Sequence, residues 1–252
     1  TQWDFDAKTV TGNLTLTAHW ALVAPTVTLS ADQAEATYSD GQTVITLTAV
    51  PGHGASVVYA YEWYKDDGAT PVATGAVPTL NLTNVAQSGS YTVKVIATDA
   101  QGGESVGKSN AVAVVIRRTV PDYTVPANLT ATYGDKLDTV DLPAGWTWDD
   151  TDTAVGNAGE RSHAATFTPD DTQNYKTVQQ DVVVTVSKAV LTPFVRSVED
   201  KVYDGDPSTK GTIGLDGAVL GEVPTASGVF TFDNANAGQN KTVTAAVTLD
   251  DS

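Results

Sequence analysis

The stretch QSGSYTVKV, residues 87–95, sets Tyr91, Val93 and Val95 at alternate positions, with Thr92 and Lys94 between them. Successive side chains on a strand point to opposite faces, so the apolar set looks one way and the polar set the other. Working outward, the same alternation recurs in TVTLSA (26–31), TVITLTAV (43–50), YAYEWYK (59–65), LNLTNV (80–85), AVAVVI (111–116), DVVVTVSK (181–188) and KTVTAAVTL (241–249). Each run is rich in Val, Thr, Ile or Tyr and is bounded by Gly, Pro, Asn or Asp, which is the signature of half-buried strands. No stretch sustains apolar residues at i, i+3, i+4 and i+7, so helices are not expected. Short strands at this spacing predict an all-β chain of tandem sandwich modules.

The net charge of −16, from 30 acidic and 14 basic residues, opposes binding to nucleic acid, whose phosphates are met by clustered Lys and Arg. It opposes docking on an anionic membrane equally, and reads as a solvated, self-repelling surface. No run of about 20 apolar residues predicts membrane insertion. The absence of Cys excludes disulfides, thiolate metal sites and a cysteine nucleophile. Secreted animal modules of this size usually carry disulfides, whereas exported bacterial modules often do not, which points to a bacterial cell surface or cell wall. There is no Met, and the chain starts mid-pattern, as expected of a piece of a longer protein.

Four pieces follow one another. Residues 1–21 contain WDFDAKTVTGNLTLTAHW, in which Trp3, Phe5, Thr11, Gly12, Leu14, Leu16, Ala18 and Trp20 match in order the closing hairpin of the Listeria–Bacteroides (internalin B-type) repeat. The resemblance implies a β-hairpin from a truncated grasp-like repeat. Residues 25–116 carry alternating Ile45, Leu47 and Ala49, then Trp63 in YEWYKDDG, then the Tyr91 strand. This order resembles a bacterial immunoglobulin-like domain. The resemblance places Ala49 and Val93 where two bridging cysteines would stand, Trp63 where the core tryptophan covers them, and Tyr91 at the tyrosine corner, its hydroxyl returning to nearby backbone.

The last two pieces, 117–187 and 188–252, are related to each other. ATYGDKLDT around Tyr133 parallels KVYDGDPST around Tyr203, and NAGERSHAATFTPDD (157–171) parallels NAGQNKTVTAAVTLDD (236–251). These landmarks are offset by 70 and 79 residues, so one copy holds an insertion of about nine. Internal repetition signals stacked modules, expected to form an elongated array with sparse contacts. The first copy, with LPAGWTWDD and FTPDDTQNY, resembles an MBG-type repeat of Gram-positive surface proteins, and the second resembles a YDG module. VSKAVLTP (186–193) reads as a short joint, because it holds no Gly or Ser tract. In the first copy TPDD is followed by a long final strand; in the second, TLDD ends at Asp251, so that module is expected to lack its closing strand and to offer an edge for pairing with another chain.

Chemistry is sparse. His19, His53 and His163 fall in different pieces and cannot easily share a metal. Ser162 and His163 are strand neighbours whose side chains diverge. Asp149, Asp150 and Asp152, with Asp170 and Asp171, are weak calcium candidates, since calcium takes about six to eight oxygens; turn aspartates bonded to their own backbone explain them more simply. A glycosidase needs two acids held about 5 to 9 Å apart in a groove, and turn clusters supply no groove. The triplets at Asn13, Asn81, Asn128 and Asn240 are formal glycosylation acceptors that arise readily in Thr-rich strands. Lys94 and Lys188 lie in strand patterns, but no motif for a lysine–asparagine isopeptide bond accompanies them. Trp146 and Trp148, at alternate positions of GWTW, share one strand face and are weak ligand candidates as a sugar platform; packed inward, they are core. The expectation is a non-catalytic, cofactor-free, monomeric stalk or adhesion segment facing an unnamed host-surface, glycan or protein ligand. The alternative is a carbohydrate-binding accessory region of a secreted glycoside hydrolase.

Overall fold

The computed structural model describes residues 12, 21–52 and 56–250. The hairpin expected over 1–21 and the histidines His19 and His53 therefore lie outside the described residues, apart from Gly12 and Ala21. The chain is all-β, a tandem of β-sandwich modules, and divides into two compact units: Thr1–Thr119 with Gln173–Lys176, and Val120–Thr172 with Thr177–Ser252.

In the first unit β1 (Thr26–Ala31), β3 (Ile45–Gly52) and β6 (Thr79–Leu82) form one sheet in the order β1-β3-β6. The second sheet takes β2 (Glu35–Thr37), β4 (Val57–Lys65), β5 (Ala73–Gly75), β7 (Gly89–Asp99) and β9 (Val112–Arg117) in the order β2-β9-β7-β4-β5; β8 (Glu104–Lys108) also pairs with β7. Period-2 alternation turns Ile45, Leu47 and Ala49 of one sheet toward Tyr61, Trp63, Tyr91, Val93, Val95, Val114 and Ile116 of the other, and these form one buried cluster. Strand pairs are antiparallel except β2 with β9, and the isolated bridges Val27–Ser109 and Thr119–Tyr175 are parallel too. Gly107 on β8 is required by a close approach: a Cβ there would lie 2.0 Å from the Pro25 carbonyl oxygen.

In the second unit β10 (Leu129–Thr132), β11 (Trp146–Trp148), β12 (Gly159–Phe167) and β13 (Val178–Ser187) form a sheet ordered β10-β13-β12-β11. The long strand β13 is central, antiparallel to β12 and parallel to β10. Its Val182, Val184 and Val186 are buried while Val183 is exposed, as the pleat dictates. The layer over this face comes from the chain between β10 and β12, through Leu137 of a short 3-10 turn (Leu137–Thr139), Val140 and Val155.

The remaining strands are β14 (Thr192–Val198), β15 (Ser208–Thr209), β16 (Gly211–Asp216), β17 (Ala226–Phe232) and β18 (Val243–Leu249), in two small sheets, β14-β16 and β15-β17-β18. The repeat seen in sequence reappears in register. Trp148 on β11 faces Ala165 on β12, and Phe230 on β17 faces Ala245 on β18.

Candidate functional site: module cores, a joint and turn carboxylates

The first site is the heart of the first unit. Trp63 is 2% exposed and sits opposite Val93 in the β4–β7 ladder, in the same buried cluster as Ala49. The Tyr91 ring is buried and its hydroxyl donates to the Gln87 carbonyl oxygen at 2.7 Å. Burial, followed by the charge of Asp66, pushes the Tyr91 hydroxyl above the usual phenol range. It therefore stays protonated and remains a donor. Asn110, not singled out in the sequence, bonds the β1 backbone as a peptide unit would. Its Oδ1 accepts from the Leu29 amide at 3.0 Å and its Nδ2 donates to the Leu29 carbonyl oxygen at 3.1 Å. Only its place between two strand runs could have hinted at this, because the partner lies 81 residues away.

Residues 173–176, QNYK, extend the first unit. The Asn174 side chain accepts from the Val85 amide at 2.9 Å, and Tyr175 meets Tyr38 edge-on with ring centres 5.3 Å apart. The FTPDDTQNY motif contains these residues, but nothing in it pointed to their partners in the first unit, since pairing across such a separation leaves no local trace.

On the surface of the β4–β7 ladder, Lys94 donates to Glu62 at 2.9 Å and the Tyr64 hydroxyl donates to the same oxygen at 2.8 Å. The Lys94 bond first, and the Tyr64 bond second, hold the Glu62 carboxyl below its ordinary range. A carboxyl depressed in the folded state contributes stability above its unfolded pKa, and that contribution is lost as pH falls through the folded value. Stability of the first unit is expected to decline on acidification from the ordinary Glu value of 4.5 downward. Glu62→Gln is expected to flatten that part of the profile while leaving stability near pH 7 only slightly lower. Thermal melts across pH, with and without the substitution, check this; parallel profiles would refute it.

The carboxylates considered for calcium are engaged separately. Asp149 accepts from Thr166 at 2.6 Å and from Gln179. Those two bonds, in that order, lower its pKa. Asp150 accepts from the Asp152 amide at 3.0 Å and from the Thr153 hydroxyl at 2.9 Å, an Asx-type turn. Asp152 pairs with Lys136 at 3.1 Å. Among the described residues no three His, Cys, Asp or Glu side chains gather as a metal-binding group. His163 sits at 3.2 Å from the Val155 carbonyl oxygen through Nε2 and against Trp148 edge-on, while Ser162 on the same strand is exposed.

The two tryptophans of GWTW face inward. Trp146 and Trp148 are 7% and 8% exposed, and Trp148 donates through Nε1 to the Val140 carbonyl oxygen at 2.9 Å. Trp146 is covered by Tyr123 and Phe167. A sugar ring needs an open aromatic face, which this pair does not offer.

Within the second unit the two repeat copies touch at a joint. Tyr133 donates to Glu222 at 2.5 Å, and Gly134, at φ +102°, lets Val219 approach so closely that a Cβ would lie 2.8 Å from it. Lys188, Ala189 and Leu191 line the hollow beside this contact. A side-chain bond between residues 89 apart crosses this joint.

A model of the YDG domain matches residues 187–252. No curated protein matches the chain. Among solved structures, the Clostridium thermocellum CbhA fibronectin(III)-like modules are similar at 18% identity and a TM-score of 0.25, over 64% of this chain and 94% of that one. Residues 187–252 are thus similar to a YDG domain, and further β-modules precede them.

Proposed function

We propose that this chain is a non-catalytic, extracellular segment of a bacterial surface protein, a spacer or adhesion module that holds a distal part away from the cell wall. The observation that carries this reading is serial construction. The cluster around Trp63 and the cluster around Trp148 are separate, each closed by its own strands, and a YDG domain follows them. Modules that each close a core of their own can be strung in series, which suits geometric work. The segment acts as a monomer, needs no cofactor and meets a host-surface, glycan or protein ligand. The fully covered Trp146 and Trp148 weigh against the accessory region of a glycoside hydrolase.

Force spectroscopy tests the reading. Pulling from the two ends is expected to give separate unfolding events, the 25–116 module releasing about 300 Å at roughly 3.6 Å per residue. A single all-or-none event would overturn serial construction. Saturable binding to cellulose or chitin, abolished by Trp146→Ala, would favour the accessory role instead.

A further inference from the structure

Of the 11 prolines in the chain, only Pro207 follows an aspartate. An Asp–Pro peptide is chemically weak for two reasons. The side-chain carboxylate reaches its own carbonyl carbon through Cγ, Cβ and Cα, so its attack closes a small ring and is intramolecular. The departing nitrogen belongs to a tertiary amide and leaves as a secondary amine, which holds a proton readily.

The turn between β14 and β15 acts on that weak bond from both sides. Lys201 donates through Nζ to the Asp206 carbonyl oxygen, the acceptor of the Asp206–Pro207 peptide itself, at 2.7 Å. The ammonium is fixed there by the Ser208 carbonyl oxygen at 2.7 Å and by Asp204 at 2.8 Å. The Asp206 carboxylate is drawn forward across the peptide by Ser208, whose amide donates at 2.9 Å and whose hydroxyl donates at 2.7 Å. Those bonds, the hydroxyl first and the amide second, hold the carboxyl below its ordinary range, so it stays ionised. The ends of the turn are pinned, with the Glu199 amide on the Lys210 carbonyl oxygen and the Phe232 amide on that of Pro207, both at 2.8 Å. None of this is needed to turn the corner. By the repeat alignment, Ala131, Lys136 and Leu137 stand in the sister copy where Lys201, Asp206 and Pro207 stand here. That copy closes its turn with Asp135 on the Thr132 amide at 2.8 Å.

We infer that the Asp206–Pro207 peptide is a self-cleavage site, with Asp206 as the nucleophile and Lys201 as the group that stabilises the oxyanion. A carboxylate oxygen of Asp206 bonds to its own carbonyl carbon, and the charge gathering on the carbonyl oxygen meets the Lys201 ammonium. The bond from that carbon to the Pro207 nitrogen breaks, the nitrogen takes a proton from water, and a cyclic anhydride remains at Asp206. The hydroxide left behind opens the anhydride, giving Asp206 a free terminal carboxylate and Pro207 a free amine. One water is consumed, and nothing is oxidised or reduced. The charged groups facing this hollow are Glu199, Asp200, Lys201, Asp204 and Lys210. The cut pieces stay together, because β14 before the bond pairs with β16 after it from Thr192–Asp216 to Val198–Gly211. A continuous chain thereby becomes a joint held by strand pairing alone. The inference does not depend on the spacer reading.

The test follows the purified 252-residue chain by intact mass spectrometry in neutral and mildly acidic buffer, both native and unfolded in urea. Fragments 1–206 and 207–252 are expected, appearing about tenfold or more faster from the native chain than from the unfolded one. Asp206→Ala should abolish them; fragments that persist in this variant would assign the cut to a contaminating protease and refute the inference. Lys201→Met keeps the stem and removes the charge, so it should slow native cleavage about tenfold while leaving the rate in urea unchanged. Lys201→Arg, which restores a cation, should recover most of the native rate. An uncut chain, a native rate no higher than that in urea, or equal losses in the Met and Arg variants would each overturn the inference, the last by making Lys201 a clamp of the turn and nothing more.

Discussion

Trp63→Ala is expected to destabilise the first unit by about 3–5 kcal/mol, the usual cost of truncating a large buried aromatic. Small domains hold only about 5–15 kcal/mol in total, so most of the margin would go. The reason is local. Ala49 and Val93 are small, fully covered and unlinked, so nothing covalent ties β3 to β7. The indole opposite Val93 fills the space between the sheets. Removing it leaves a cavity bordered by strands of both sheets, which cannot collapse without shifting the β4–β7 ladder. Trp63→Phe, which keeps a ring, should recover a large part of the loss. Denaturant melts followed by exchange of the 91–97 amides would measure it. An unchanged midpoint for the alanine variant would mean that the two sheets are held together by something other than this residue.

The same region shows how much of the fold was legible. Alternation located β3, β4, β7 and β13 because each has one dry and one wet face, which writes a period of two into the sequence. The repeat relating ATYGDKLDT to KVYDGDPST was legible for a similar reason, since duplicated packing duplicates residues; the facing pairs Trp148–Ala165 and Phe230–Ala245 are its structural form. Sheet order was less legible. The parallel pairings of β2 with β9 and β10 with β13 join segments far apart in the chain, and backbone hydrogen bonds leave no side-chain pattern. Asn110 and the Tyr133–Glu222 bond were missed because one polar residue among many carries no mark of its partner. The aspartates of DDTD illustrate the reverse. Clustering in sequence suggested convergence, yet a turn directs neighbouring carboxylates outward to different donors.

Trp148→Ala separates the structural from the ligand-binding reading of GWTW, and its expected cost in the second unit is also about 3–5 kcal/mol. Two losses combine. The indole packs over Ala165 and edge-on to His163, so its removal opens the core beneath Val182 and Val184. Its Nε1 also satisfies the Val140 carbonyl oxygen, and leaving that buried acceptor unpaired adds to the cavity cost. Trp148→Phe divides the two: it keeps most of the packing and removes the donor, so it should cost about 1–3 kcal/mol, the penalty of a buried group left without its bond. Because β13 is shared by β10 and β12, the damage should spread along the whole sheet. Exchange in 182–186 should therefore rise together with that in 129–132, while the first unit melts as before. A ligand platform would behave oppositely, with Trp148→Ala leaving the melt intact and removing affinity for a polysaccharide. That outcome would place the tryptophan face outward and overturn the core described here.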